Sequence, residues 1–158
     1  MKPFKHLIII LVLAVIAVGT ATAAEPINTL EKKGFFGYKP SGLAIRGFDT
    51  VAYFTEGKPI KGNDQYQHEW MGAKWNFSSE KHLSLFAANP TKYAPQYGGY
   101  CAYGVATDSL VKIEGDQWTI LDDKLYLNYD ANLQEMWLKD MQNYIALADG
   151  KFNMLLAE

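Results

Sequence analysis

The alternation of apolar and polar positions predicts strands in the first half of the chain. Residues 66–71 alternate in this way and predict a strand, and residues 74–77 predict its antiparallel partner. Gly72-Ala73 between them predicts a two-residue turn, because glycine at the first position suits type II′ geometry. The apolar run at residues 50–54, ended by Glu56-Gly57, predicts a further short strand.

From Ser78 or Ser79 onward, the apolar residues recur with the period of a helix. Either serine can cap this helix, which ends at Asn89-Pro90. Residues 118–121 and 124–128 then predict a hairpin across Asp122-Asp123. An amphipathic helix follows from about residue 132 to residue 149. The helical apolar positions are Leu83, Phe86 and Ala87 in the first helix, and Leu133, Met136, Trp137, Met141, Tyr144, Ile145 and Ala148 in the second.

This order of elements predicts a small α+β domain. A small antiparallel β-sheet built from hairpins is packed by two to three helices, including the C-terminal amphipathic helix. We divide the chain into a signal peptide (1–23), a lead-in segment (24–42), a folded domain (43–150) and a C-terminal tail (151–158).

The N-terminus has the pattern of a secretory signal. Lys2 and Lys5 precede an unbroken apolar run over residues 7–18, and Ala21-Thr22-Ala23 is an A-x-A cleavage site. A membrane anchor is the alternative, but the run is shorter than the ~20 residues that span a bilayer. We therefore predict an exported, periplasmic protein that is cleaved after Ala23 and leaves the membrane.

Charge and motifs narrow the classes of function. The chain after Ala23 has 13 basic and 17 acidic residues, a formal net charge of −4, with no basic run. Nucleic acid and anionic lipid are therefore poor candidate partners. The sequence has no Cys-x-x-Cys, Gly-x-Ser-x-Gly, phosphate-binding glycine loop or His-Glu-x-x-His motif. These absences favour a binding protein, but they do not exclude an enzyme.

Cys101 is the single cysteine, and it lies in an uncharged run of tyrosines and glycines at residues 97–104. A lone thiol cannot form an internal disulfide, so in an exported protein it is buried and inert, pairs with another molecule, reacts, or binds a metal. A thiolate favours soft or borderline ions such as Cu(I) or zinc.

Four segments of the sequence resemble one family. Residues 47–54 (GFDTVAYF), 70–79 (WMGAKWNFSS) and 86–95 (FAANPTKYAP) resemble the YHS domain, and residues 96–105 (QYGGYCAYGV) resemble its exported branch. The resemblance implies metal handling, through a cysteine near the first strand and two more that flank the start of the helix. Ala52, Ser78 and His82 stand at those three positions here, so only His82 could still bind a metal.

The resemblance and the lone thiol together predict the function. We expect a transition metal, with copper favoured and zinc possible, bound by Cys101 with His82 or another nearby donor such as Asp49, for metal buffering or delivery. His82 could instead be a solvated first-turn residue, and Asp49 could simply cap an Asx turn. Two other functions stay open. One is a module that binds a small ligand or an exported partner protein through the aromatic loop without metal, and the other is a thiol redox protein.

Overall fold

The computed structural model describes residues 23–32, 35 and 37–158. Nearly all of the predicted signal peptide, residues 1–22, lies outside the described residues. Within the described part of the chain, no helix is both long enough and apolar enough to cross a membrane.

The described residues form six α-helices and three two-stranded antiparallel sheets, which confirms the α+β class. The sheets pair β1 with β2, β3 with β4, and β5 with β6. The strands are β1 (Leu30–Lys32), β2 (Tyr38–Pro40), β3 (Asn63–Trp70), β4 (Ala73–Phe77), β5 (Trp118–Leu121) and β6 (Lys124–Leu127). The helices are α1 (Thr50–Thr55), α2 (Glu80–Ala88), α3 (Pro90–Tyr93), α4 (Ala102–Ala106), α5 (Ala131–Lys139) and α6 (Met141–Leu155).

Residues 50–54 form helix α1, so the strand predicted there is wrong. Asp49 starts the helix, because its Oδ1 accepts hydrogen bonds from the backbone N–H groups of Val51 and Ala52 at 3.0 and 3.3 Å. The apolar residues at the start of α1 are all buried, so their burial does not alternate. A short buried run of this kind has the same pattern in a strand and in a helix, and here the cap decides between them.

The hairpins follow the predicted pattern, with one shift of the turn. Trp70 pairs with Ala73, so the β3–β4 turn is Met71-Gly72, one residue earlier than predicted. Both turn residues have positive φ, +49° and +77°, as in type I′ geometry, which replaces the predicted type II′. The β5–β6 hairpin turns at Asp122-Asp123 as predicted.

The C-terminal apolar stripe is divided between two helices that meet at Asp140. Trp137 is fully buried, as predicted, but Met136 is 40% exposed, so its predicted place in the core is wrong. Helix α6 continues to Leu155, into the segment that the sequence pattern sets apart as a tail. Phe152 in that segment packs its ring 5.8 Å from the ring of Tyr97.

Two short turns of the backbone run through the left-handed conformation. Residues 45–47 have φ values of +40°, +57° and +72°, and residues 97–99 have +55°, +60° and +81°. Ile45 and Tyr97 carry large side chains in a region that favours glycine. Such strain persists only where the surrounding structure holds it in place.

Asn28 in the lead-in segment links these two turns. Its backbone N–H donates to the Gly98 oxygen at 2.8 Å, and its side-chain amide donates to the Gly99 oxygen at 2.9 Å. The backbone carbonyl oxygen of Asn28 accepts a hydrogen bond from the backbone N–H of Ile45 at 2.8 Å. A Cβ atom on Gly98 would lie 1.9 Å from the Pro26 oxygen, so only glycine allows this close contact.

Candidate functional site

Asp49 is fully buried and joins three parts of the chain through its carboxylate. Its Oδ1 caps α1, as described above. Its Oδ2 accepts hydrogen bonds from the N–H and hydroxyl of Ser78, at 2.9 and 2.6 Å, and lies 2.7 Å from His82 Nδ1. The buried carboxylate is thus paired and hydrogen-bonded on both oxygens, which is what a charge in the interior requires.

The start of helix α2 brings His82 to Asp49. Ser79 caps this helix by accepting a hydrogen bond from the His82 N–H at 3.2 Å, as the sequence predicts. The His82 side chain is only 7% exposed, so its interpretation as a solvated residue of the first turn is wrong. Asp49 combines the Asx cap with a contact to this imidazole.

The other ring nitrogen of His82 faces oxygen atoms at the C-terminal end of α1. Nε2 lies 3.3 Å from Thr55 Oγ1 and 3.6 Å from Glu56 Oε1. The Thr55 hydroxyl donates its hydrogen to the Val51 oxygen at 3.1 Å, and the Glu56 carboxylate can only accept. With Nδ1–H donated to Asp49, Nε2 of a neutral ring is also an acceptor. Three acceptors therefore lie close together, Nε2 of His82 and the oxygens of Thr55 and Glu56.

Cys101 lies in a separate hydrogen-bond network. Its Sγ caps α4 by accepting from the N–H of Gly104 at 3.3 Å, and it also accepts from the N–H of Tyr129 at 3.2 Å. The thiol donates to Asn128 Oδ1 at 3.6 Å. Burial raises the pKa of the Cys101 thiol, against the lowering effect of the backbone N–H groups of Gly104, Tyr129 and Tyr103.

The structure brings Asp49 and His82 together and gives Cys101 other partners. Among the described residues, no hydrogen bond joins Cys101 to Asp49 or His82. Nor does the described part of the chain contain a group of three or more His, Cys, Asp or Glu residues arranged to hold a metal. A metal site shared by Cys101 and His82 stays a prediction, whereas the Asp49–His82 pair is a feature of the fold.

The tyrosines of the aromatic loop use their hydroxyls inside the protein. Tyr97 donates to Asp149 Oδ1 at 2.9 Å, and Tyr100 donates to the Glu25 oxygen at the same distance. Burial raises the pKa of Tyr100 to about 12. Both rings are buried, so the loop contributes to the core next to α6.

Glu56 is the site residue that sequence reasoning missed. Residues 50–54 were expected to form a strand, and Glu56 to end it. In the helix, Glu56 is the C-cap of α1, and its N–H donates to the Ala52 oxygen at 2.9 Å. The local signal that could have identified Glu56 is Asp49. An N-cap at Asp49 predicts a helix after it, and Glu56 lies at the opposite end of that helix.

The fold and this pair define a small α+β domain with a buried carboxylate–imidazole contact where two helices begin. The family model for the YHS domain matches residues 51–97, a stretch that includes His82. The family is linked to the handling of metals, copper among them. Neither the curated proteins nor the solved structures contain a significant match to this chain.

The environment of Cys101 gives a first testable prediction. In the native protein, an aromatic disulfide reagent at pH 7.5 should modify Cys101 at least about 100-fold more slowly than in unfolded protein, because reaction needs both exposure and a thiolate. The rate should increase with pH, since the raised thiol pKa keeps the thiolate fraction low near neutrality. Equal rates for native and urea-unfolded protein would show that the thiol is accessible.

Proposed function

We propose that this protein binds a transition-metal ion at His82 and serves in metal buffering or delivery outside the cytoplasm. The observation that carries the proposal is the convergence of three acceptors, Nε2 of His82 and the oxygens of Thr55 and Glu56. The position of Asp49 also supports the proposal. A carboxylate that accepts the Nδ1–H of His82 fixes the tautomer in which Nε2 has a free lone pair for a metal.

The spacing of these atoms fits a metal ion. Metal–nitrogen and metal–oxygen bonds in zinc sites are about 2.0–2.2 Å long. Atoms 3.6 Å apart, as Nε2 and Glu56 Oε1 are, can both bind one ion at an angle of roughly 120°. His82 and Glu56 would therefore hold the ion with little movement, and the Thr55 oxygen lies beside it.

The number of ligands fits an exchangeable ion better than a structural one. Structural zinc sites are closed by four protein ligands, whereas this arrangement offers one imidazole and one carboxylate. Water or a partner protein would fill the remaining positions. An open site of this kind suits transfer of the ion, and the sequence pattern of a signal peptide favours the periplasm as the place of that transfer.

The thiol of Cys101 is the alternative ligand, and it would favour Cu(I). To bind a metal there, the buried thiol would have to give up the proton that it donates to Asn128 Oδ1. The two sites differ in their ligands, so single substitutions separate them.

Metal titration of the tag-free protein against a competing chelator tests the proposal. His82→Gln should weaken binding at least about 10-fold, because it removes a direct ligand. Cys101→Ser should leave binding within about twofold. His68→Gln is the matched control, since His68 lies on β3 and makes an aromatic contact with Phe86. Binding that is abolished in Cys101→Ser and unchanged in His82→Gln would contradict the proposal and place the metal at the thiol.

A further inference from the structure

We infer that Glu56 makes this site selective for a divalent borderline ion, Zn²⁺ or Cu²⁺, over Cu(I). The inference rests on the proposed function and adds a ligand and a metal class to it. It differs from the metal expected from the lone cysteine, which favours a soft monovalent ion.

The position of Glu56 fits an entrance to the site. Its side chain is 40% exposed, while that of His82 is 7% exposed. The backbone of Glu56 is held at the end of α1 by its hydrogen bond to Ala52, and its Oε1 lies 3.6 Å from His82 Nε2. An ion from solvent would meet the carboxylate first and the imidazole second.

The chemistry of the donors points to a divalent ion. The polar atoms that face His82 Nε2 in the described structure are both oxygens, from Thr55 and Glu56. Carboxylate oxygen and imidazole nitrogen suit Zn²⁺ and Cu²⁺, whereas Cu(I) is selected by thiolate and thioether sulfur.

The charges around Glu56 favour a doubly charged ion as well. Lys58 Nζ lies 3.9 Å from Glu56 Oε2, on the opposite carboxylate oxygen from the one that faces His82. An incoming ion shares the carboxylate with this ammonium group and is repelled by it. For a 2+ ion, the attraction to the nearer carboxylate and the repulsion by the ammonium group are both about twice those of a 1+ ion, so the net attraction is about twice as large as well.

Parallel titrations with Zn²⁺, Cu²⁺ and Cu(I), the last under anaerobic conditions, test the inference. Glu56→Gln should raise the Kd for both divalent ions by about 10–100-fold, because the direct oxygen ligand loses its charge. Glu56→Asp should cause a smaller loss of affinity for the divalent ions, since it keeps the charge and shortens the side chain by one methylene group. Lys58→Gln should lower the Kd by up to about 5-fold.

Glu135→Gln is the matched control, because Glu135 is also an exposed helical carboxylate paired with a lysine, Lys139 at 3.1 Å. Its Kd values should stay within about twofold of wild type. Thermal melts establish that each variant is folded. Binding that depends on His82, favours Cu(I) and ignores Glu56→Gln would overturn the inference and leave the proposed function standing. If none of the three ions binds in a His82-dependent way, both are wrong.

Discussion

Asp49→Ala is expected to lower the free energy of unfolding by about 3–5 kcal/mol, because it removes the acceptor of several buried hydrogen bonds at once. The substitution leaves several buried groups without an acceptor: two N–H groups at the start of α1, the Ser78 N–H and hydroxyl, and His82 Nδ1–H. Each unsatisfied buried group costs about 1–3 kcal/mol before relaxation. Against a typical domain stability of ~5–15 kcal/mol, the loss should be plain in urea denaturation.

Two comparisons separate the buried contact from ordinary capping. Asp130→Ala removes a more exposed N-cap, which accepts only the Leu133 N–H, and should cost about 1 kcal/mol. Asp49→Asn keeps the shape of the side chain but places an amide donor or an uncharged oxygen against His82, so it should cost more than Asp130→Ala. If Asp49→Ala costs no more than Asp130→Ala, the contact between Asp49 and His82 does not stabilise the fold.

Trp137→Ala is the second substitution with a large expected effect, a loss of about 3–5 kcal/mol. Trp137 is fully buried, and its ring lies 5.1 Å from that of Tyr126, in the cluster that joins α5 and α6 to the rest of the domain. Truncation leaves a cavity that the neighbouring rings can fill only in part. Urea denaturation measures the change.

Neighbouring substitutions test the phase of α5. Leu138 is 46% exposed, so Leu138→Ala should change the stability by less than about 0.5 kcal/mol. Trp137→Phe should cost less than Trp137→Ala, since it keeps a ring and removes the Trp137 Nε1–H, which has no partner among the described residues. A loss under about 1 kcal/mol for Trp137→Ala would contradict the burial of this face.

Features governed by local chemistry could be predicted from the sequence. The turn at Asp122-Asp123 and the Ser79 cap of α2 depend on a few adjacent residues, and the structure confirms both. The strand predicted at residues 50–54 is wrong because an apolar run of five residues is too short to distinguish a strand from a helix by its period. The prediction for Met136 is wrong because Met136, although adjacent to the fully buried Trp137 in α5, lies about 100° around the helix from it, at the edge of the buried face.

The candidate site shows where prediction from sequence ends. Asp49 and His82 were both candidates, but their contact spans 33 positions and depends on where α1 and α2 begin. Glu56 became visible as a site residue only once α1 was known to be a helix. The hydrogen bonds of Cys101 with Asn128 and Tyr129 could not be predicted from the sequence, because tertiary packing determines which residues lie beside the thiol.

The contact between Asn28 and Gly99 ties the lead-in segment to the folded domain. It joins residues 71 positions apart, so forming it closes a long loop at an entropic cost. Asn28 bonds to Ile45 in one strained turn and to Gly98 and Gly99 in the other, and so helps to hold both in the left-handed conformation. Residues 45–47 therefore take part of their support from a segment that lies outside the stretch matched by the family model.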